Sequence, residues 1–511
     1  MKFAEGRAAQ GGAEMKWDRT ADVVIAGYGG AGAAAAISAH DAGAQVVILE
    51  KMDTGGGNTR VSMGGFLCPS NPEDAFRYLS ALYDFSHSDK DEEMVRTFAE
   101  EAVKNVLWVK GLKEGIEVHT YGHAGFPQAP GSESMDKYIV EGKGKGATLF
   151  ARNLWHLLSY AVEEKRKIPV LTRTPARELI TGDRGEVIGI LVEQEGKKVA
   201  IRANRAVILT TGGYEFDPKT LQNHVKGYPI YASGSPANTG DGIRMAQKAG
   251  ASLWHMNGVS CALGIKVPDF EAAFLASIAP PGHIFVDKGG RRFVNEQAIE
   301  IHAGLLAVDH YDTHRLEYPR IPCYAIFDET ARMQGPISRR AGLGAAGEQY
   351  RWSKDNSAEI EKGWIVKGAT LAELAGKLNM NPVALEETVG EWNEDVKKGR
   401  DTRFDRPVRS KAEEKPAYKD VTPAVLSAPI EISPFYAVPL FPCLINTQGG
   451  PRRNAHARVL DAFGRPIPRL YSAGELGSMW GIIYQGASNI GECMVFGRIA
   501  GRNAAGEMPW I

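Results

Sequence analysis

The chain has 511 residues, room for two or three domains at about 150 residues each. Apolar residues make up 43% and charged residues 24%, an ordinary globular mixture that excludes a disordered chain. Sixty basic against sixty-one acidic residues leave a net charge of −1, without the basic excess that a nucleic-acid or membrane-surface binder needs.

Residues 1–17, MKFAEGRAAQGGAEMKW, lack a continuous apolar stretch and read as a flexible tail, not a signal peptide. No run of 18 apolar residues follows, so no membrane insertion is expected. The five cysteines, Cys68, Cys261, Cys323, Cys443 and Cys493, form no C-x-x-C pair. They read as free thiols of a cytoplasmic protein, with no disulfide framework, metal site or attached haem. Glycine is abundant, 58 residues against a usual share of about 7%, as expected where backbone closely approaches a large ligand.

Ala21 to Ala26 (ADVVIA) is a buried parallel strand by composition. Gly27-Tyr28-Gly29-Gly30-Ala31-Gly32 follows, then an alanine-rich helix, then a second strand from Gln45 to Leu49 ending at Glu50. This is a complete β-α-β dinucleotide unit. Gly27 makes the turn, Gly29 admits a pyrophosphate and Gly32 lets the helix pack closely. The helix N-terminus offers N–H groups to the phosphates, and Glu50 accepts from a ribose diol. Lys51 opens a second glycine-rich loop through Gly57-Asn58-Thr59 to Ser62-Met63-Gly64-Gly65, suited to the longer reach of FAD. A later strand, Ala206 to Leu209, runs into Thr210-Thr211-Gly212-Gly213, again a tight turn at a strand's C-terminal end. Near the C-terminus, Leu470 to Ala473 leads to Gly474-Glu475, and Gly486-Ala487-Ser488-Asn489 opens a helix from Ile490 to Ala505 whose positive end could polarise a flavin or a carbonyl.

The chain resembles the flavoprotein subunits of the fumarate reductase/succinate dehydrogenase superfamily, and within it the 3-ketosteroid dehydrogenases, most of all the Δ4 type. The resemblance rests on GYGGAG at Gly27, GGNT at Gly56, TTGGY at Thr210 and NTGDGIRMAQKAGA at Asn238, which includes Asp241. It continues with GGRRFVNE at Gly289, NTQGG at Asn446 and YSAGELGSMWGIIYQGASNIGECMVFGRIAG at Tyr471. It implies an α/β fold: a Rossmann-like FAD domain over residues 18–258 and 425–511, interrupted by a mobile α+β capping domain with its linker over 259–424. It implies an FAD-dependent enzyme acting on CH–CH bonds. Relatives with covalent FAD use a histidine before the threonine of the second loop; Asn58 stands here, so the FAD is expected to be noncovalent.

The resemblance also locates the chemistry. The proton-transferring arginine of fumarate reductases, counted from the Asn of F-V-N-E, falls on Glu300. Their carboxylate-clamping arginine and histidine fall at Tyr484 and near Trp480. Loss of these clamps points to a small neutral carbonyl substrate. Tyr484 and the N–H near Gly486 are implied carbonyl donors, and Glu300, its pKa raised by burial, or else His302, is the candidate base. Tyr121, His123 and Phe126, in the region that passes the flavin in the family, are candidate pocket residues together with Trp480. The expected reaction is desaturation of a cyclic ketone with an external electron acceptor. Reduction of an α,β-unsaturated carbonyl with an external donor and a noncatalytic redox sensor are the alternatives. Arg291-Arg292 and Arg339-Arg340 read as solvated basic pairs.

Overall fold

The computed structural model describes residues 16–141, 153–408 and 426–510. Most of the N-terminal tail, the run Gly142 to Gly146 and the middle of the expected linker lie outside these residues.

The first sheet is built on the nucleotide-binding unit. The strand Arg19–Ala26 lies between Val46–Leu49 and Lys197–Leu209, parallel to both. Pro466–Ser472 continues the parallel order beyond Lys197–Leu209, and Val170–Leu171 flanks the opposite edge. The four inner strands carry Val, Ile and Leu on both faces, as strands covered on both sides must. The antiparallel strands Ala176–Thr181 and Val187–Gln194 extend from the long strand.

The helix Gly30–Asp41 is buried nearly all round because its alanines pack against the C-terminal helix Ser488–Gly506. Close approach is made possible by Gly497 and Gly501: a Cβ on either would lie within 2.8 Å of a carbonyl of the alanine helix. Gly27, at φ +106°, turns from strand to helix with Thr210 O 2.3 Å from where a Cβ would stand, so no other residue fits.

A second, seven-stranded sheet carries the capping domain in the order Phe274–Leu275, Val259–Ile265, Phe435–Thr447, Cys323–Asp328, His283–Val286. Its central strand is Phe435–Thr447, which also pairs with Tyr231–Ala232 and Val366–Gly368. The division of the chain at residues 258 and 424 therefore needs revision: strands from both outer segments run in this sheet. The helices Leu371–Lys377 and Pro382–Lys398 pack on one face of this sheet.

The GGRRFVNE motif serves the cap's interior. Arg292 is 6% exposed, not solvated as its sequence suggests, and donates to Glu296 at 2.8 Å while contacting Asp401 at 2.8 Å. Arg406 donates to the same Glu296 at 3.1 Å. The pair of cations holds the Glu296 carboxyl below its usual range against burial, which alone would raise it.

Candidate active site

A cavity of about 700 Å³ runs from the C-terminal ends of the parallel strands to the inner face of the cap. Its first wall is the nucleotide turn. Gly29, Gly30, Ala31 and Gly27 line it; the N-cap residue Gly29 has no side chain, and the first helical N–H, of Gly30, donates to Thr59 Oγ1 at 3.1 Å, so the helix N-terminus faces the cavity. A Cβ at Gly29 would project into space bounded only by Gly56 O at 3.6 Å. Gly32 lies behind the wall and holds the helix against the turn, its missing Cβ 2.1 Å from Gly27 O. Glu50 is buried on the wall, accepting from the N–H groups of Tyr28 at 3.0 Å and Met52 at 2.8 Å. A helix N-terminus at a glycine turn beside a buried acid fits a dinucleotide pyrophosphate and its ribose.

The second loop continues the wall through Gly57, Asn58, Thr59, Ser62, Met63, Gly64 and Gly65. The Asn58 amide donates to Glu215 at 2.7 Å and Glu475 at 2.9 Å, and its carbonyl accepts from Ser235 N at 2.7 Å. Burial raises the pKa of both carboxyls, and the Glu215 charge raises that of Glu475 further. Lys51 lies against Asp241 at 2.7 Å, and Thr211, Gly212 and Asn238 complete this side. Gly213, Gly474 and Ser488 support the wall without reaching it, whereas Asn489 and Ile490 line it.

The other end of the cavity carries titratable groups. Glu300 and His302 stand together, 20% and 18% exposed. The Glu300 carboxylate accepts from His302 N at 2.6 Å and lies 2.9 and 3.1 Å from His302 Nδ1 through its two oxygens. The raised Glu300 pKa expected from burial is not found. Burial pushes it up, but the hydrogen bonds and charge of His302, with the charge of Lys137, hold it below its ordinary value. His302 lies two residues away, close enough for its ring to turn back on the carboxylate.

Tyr484 is 6% exposed and forms the adjoining wall. Its oxygen accepts from Asn489 N–H at 3.1 Å, at the start of the C-terminal helix. Burial keeps its phenol protonated well above its ordinary range. The His302 ring meets the Tyr484 ring edge-on at 5.0 Å, and a Cβ at Gly486 would lie 2.6 Å from His302 Cε1. Tyr121 and His123 also line the cavity, His123 paired with Asp136 at 2.8 Å. Phe126 and Trp480 do not. Trp480, 1% exposed, packs edge-on behind Tyr484 at 5.6 Å, and Phe126 N donates to Tyr78.

Two cations absent from the sequence expectations lie on this wall, Lys137 and Arg340. Arg340, one of the basic pairs read as solvated, faces inward while Arg339 is exposed. They correct the picture of an uncharged pocket that loss of the arginine and histidine clamps suggests. Among the described residues, no helix is long and apolar enough to cross a membrane. The five cysteines are free.

A nucleotide turn at a helix N-terminus, a buried acid and a cavity closed by a second domain fit a flavoprotein, and the family match places it in the fumarate reductase/succinate dehydrogenase superfamily. The chain matches the family model of the FAD binding domain over residues 22–490 and belongs to that family, so its cofactor is FAD. It is similar to the NADH:fumarate oxidoreductase of Klebsiella pneumoniae, 27% identical over 99% of this chain and 50% of that protein. The chain thus spans about half the length of that relative. It is also similar to the 3-oxosteroid 1-dehydrogenase of Mycolicibacterium smegmatis, 28% identical over 95% of this chain and 97% of the relative. In fold it matches the 3-ketosteroid Δ1-dehydrogenase of Sterolibacterium denitrificans in complex with 1,4-androstadiene-3,17-dione, with a TM-score of 0.80 at 24% identity over 96% of this chain and all of that one.

Proposed function

We propose that this flavoprotein interconverts a ketone and its α,β-unsaturated form, desaturating a cyclic ketone. The observation that carries this reading is a protonated phenol and an oriented imidazole on one cavity wall, Tyr484 and His302. FAD, when bound, supplies a hydride acceptor at its N5 for the β carbon.

The Tyr484 oxygen receives its hydrogen bond from Asn489, which leaves the phenolic proton to donate to a carbonyl oxygen. The N–H of Gly486, also on the wall, is the second donor. Donors placed where an enolate develops stabilise it far more than the ground-state ketone. Glu300 fixes His302 with Nδ1–H toward the carboxylate, so Nε2 carries the lone pair and takes the α proton. Glu300 is the positioning group and His302 the base, because a carboxylate held below its ordinary pKa is the weaker base of the two. An external acceptor takes the two electrons stored at each turnover.

The reverse reaction, reduction of an unsaturated carbonyl compound, is favoured by one observation, the similarity to a fumarate-reducing relative over 99% of this chain. Anaerobic titration separates the readings. Bleaching of the oxidised flavin by saturated ketones supports desaturation, and reoxidation of reduced enzyme by enones with no bleaching by ketones supports reduction. A flavin silent to both would refute both and leave a redox-sensing protein.

A further inference from the structure

We propose that Gln485 is the positioning residue of the ketone-binding wall: its side-chain amide holds the Gly486 carbonyl away from the cavity, so that Tyr484 and the Gly486 N–H meet the ketone oxygen without an acceptor beside them. The inference rests on the ketone-binding reading above.

Gln485 is fully buried between two residues that line the cavity, Tyr484 and Gly486. Its Oε1 accepts from Gly125 N–H at 2.9 Å and from the Tyr78 hydroxyl. Its Nε2 donates to Gly486 O at 2.9 Å. The two ends of the amide cannot be exchanged, because Gly125 N–H can only donate and Gly486 O can only accept. Tyr78, buried on the helix Pro72–Ser86, accepts in turn from Phe126 N–H at 3.3 Å, which leaves its own proton for Gln485.

The turn that this amide holds is strained. Ser488 N–H donates to Gln485 O at 3.1 Å and closes the four residues from Gln485 to Ser488. Ala487, the third of them, has φ +73° and ψ −2°. These are type II values, which glycine ordinarily supplies. Rotating the Gly486–Ala487 peptide by about half a turn would give a type I turn and return Ala487 to the right-handed region. It would also swing Gly486 O from the buried amide round to the cavity side. A carbonyl oxygen there would face the oxygen on which enolate charge develops, and repel it. The hydrogen bond from Gln485 Nε2 to Gly486 O opposes this rotation directly.

The same side chain links the two sides of the site. A Cβ at Gly125 would lie 3.5 Å from Gln485 Oε1 and 3.6 Å from Glu300 Oε1, so the Gly125 backbone fills the gap between them. The residues leading to it, Tyr121 to Ala124, line the cavity. Gln485 thereby ties the turn that carries the carbonyl donors to the segment that packs against Glu300.

The test uses the FAD-loaded protein, with stopped-flow reduction of its flavin by cyclohexanone and by a 3-ketosteroid, and reoxidation by the matching enones. Gln485→Met keeps the length of the side chain and removes both hydrogen-bonding ends. It should slow the limiting rate by about tenfold or more while FAD stays bound. Ala487→Gly removes the penalty of the left-handed residue, so the turn keeps its form with less help. The slowing caused by Gln485→Met should therefore be smaller by about threefold or more when both chains compared carry Ala487→Gly. Equal slowing in the two backgrounds is what a simple packing role produces, and it would overturn the inference. A limiting rate in Gln485→Met within about threefold of wild type would overturn it too. Should Gln485→Met not retain FAD, Gln485→Glu carries the same comparison: it keeps the acceptor for Gly125 and Tyr78 and, once ionised, sets an oxygen against Gly486 O. If the wild-type flavin responds to neither ketones nor enones, the ketone reading itself fails and the inference falls with it.

Discussion

The Glu300 carboxylate grips His302 from two sides, its oxygens 2.9 and 3.1 Å from Nδ1 and one of them 2.6 Å from the backbone nitrogen of the same residue. One side chain thus fixes both the backbone and the ring of its neighbour two positions on. The ring cannot rotate without breaking contacts to Glu300, Tyr484 and Gly486, and the nitrogen left for chemistry is Nε2.

Replacing Glu300 by glutamine keeps the shape and removes the charge that selects the tautomer. We expect flavin reduction to slow by about 10²-fold or more. Substrate half-saturation should change far less than the rate, since Glu300 acts through the ring and not on the ketone. A variant with an unchanged rate would show that Glu300 orients nothing.

The same carboxylate has a signature in stability. Its folded pKa lies below the ordinary value, so its contribution is complete above about pH 5 and is lost as the pH falls through the folded pKa. The stability difference between wild type and Glu300→Gln, from urea midpoints, should be about 1 kcal/mol at pH 7 and shrink toward zero near pH 3. A difference that grows on acidification would have the wrong sign.

Tyr484→Phe deletes a donor and keeps the ring. Flavin reduction should slow by about 10²-fold, or roughly 2.7 kcal/mol, with FAD occupancy kept. Asn489 N–H loses its acceptor, so stability should fall by about 1 kcal/mol. Stopped-flow reduction at saturating ketone decides the matter: less than a threefold slowdown removes Tyr484 from the chemistry.

Gly486→Ala places a methyl group 2.6 Å from His302 Cε1. The ring must move, so the variant should bind FAD normally yet lose most of its reduction rate. Full activity would mean that His302 can give way without cost.

Noncovalent FAD is expected from Asn58, whose amide is occupied by Glu215 and Glu475. Acid precipitation should leave yellow FAD in the supernatant, and flavin retained in the pellet would contradict it. Asn58→Asp would set a third carboxylate beside that pair. It should destabilise the protein by about 2 kcal/mol or more at pH 8 and less at pH 5.

The nucleotide half was legible because its signals are local. Turn, helix, second strand and acid lie within Ala21 to Glu50, and each appears within three residues of its expected place. The substrate half is assembled from distant segments. Lys137 comes from a hairpin with no motif, and Arg340 resembles any surface arginine until the cap folds it inward. Trp480 shows the opposite failure: an aromatic in a motif became core behind Tyr484. Glu300 lines the cavity, but its lowered pKa depends on the His302 ring folded back on it, a contact that burial alone does not foretell.

The strand Phe435–Thr447 bears on how such a protein could be taken apart. It is the middle of the cap's sheet, yet its last residue reaches the cofactor side, where Thr447 N donates to Glu475 at 3.1 Å and Thr447 Oγ1 accepts from Tyr214 N at 3.1 Å. A chain cut at the two ends of the apparent insert and rejoined would keep this strand but strip its neighbours on both sides, baring two apolar edges ready to pair with other chains. The cap is not a cassette that can be lifted out. Any swap between relatives that exchanges one substrate chamber for another would have to carry Phe435–Thr447 along with it, splicing past Thr447 rather than at the proline-rich connection.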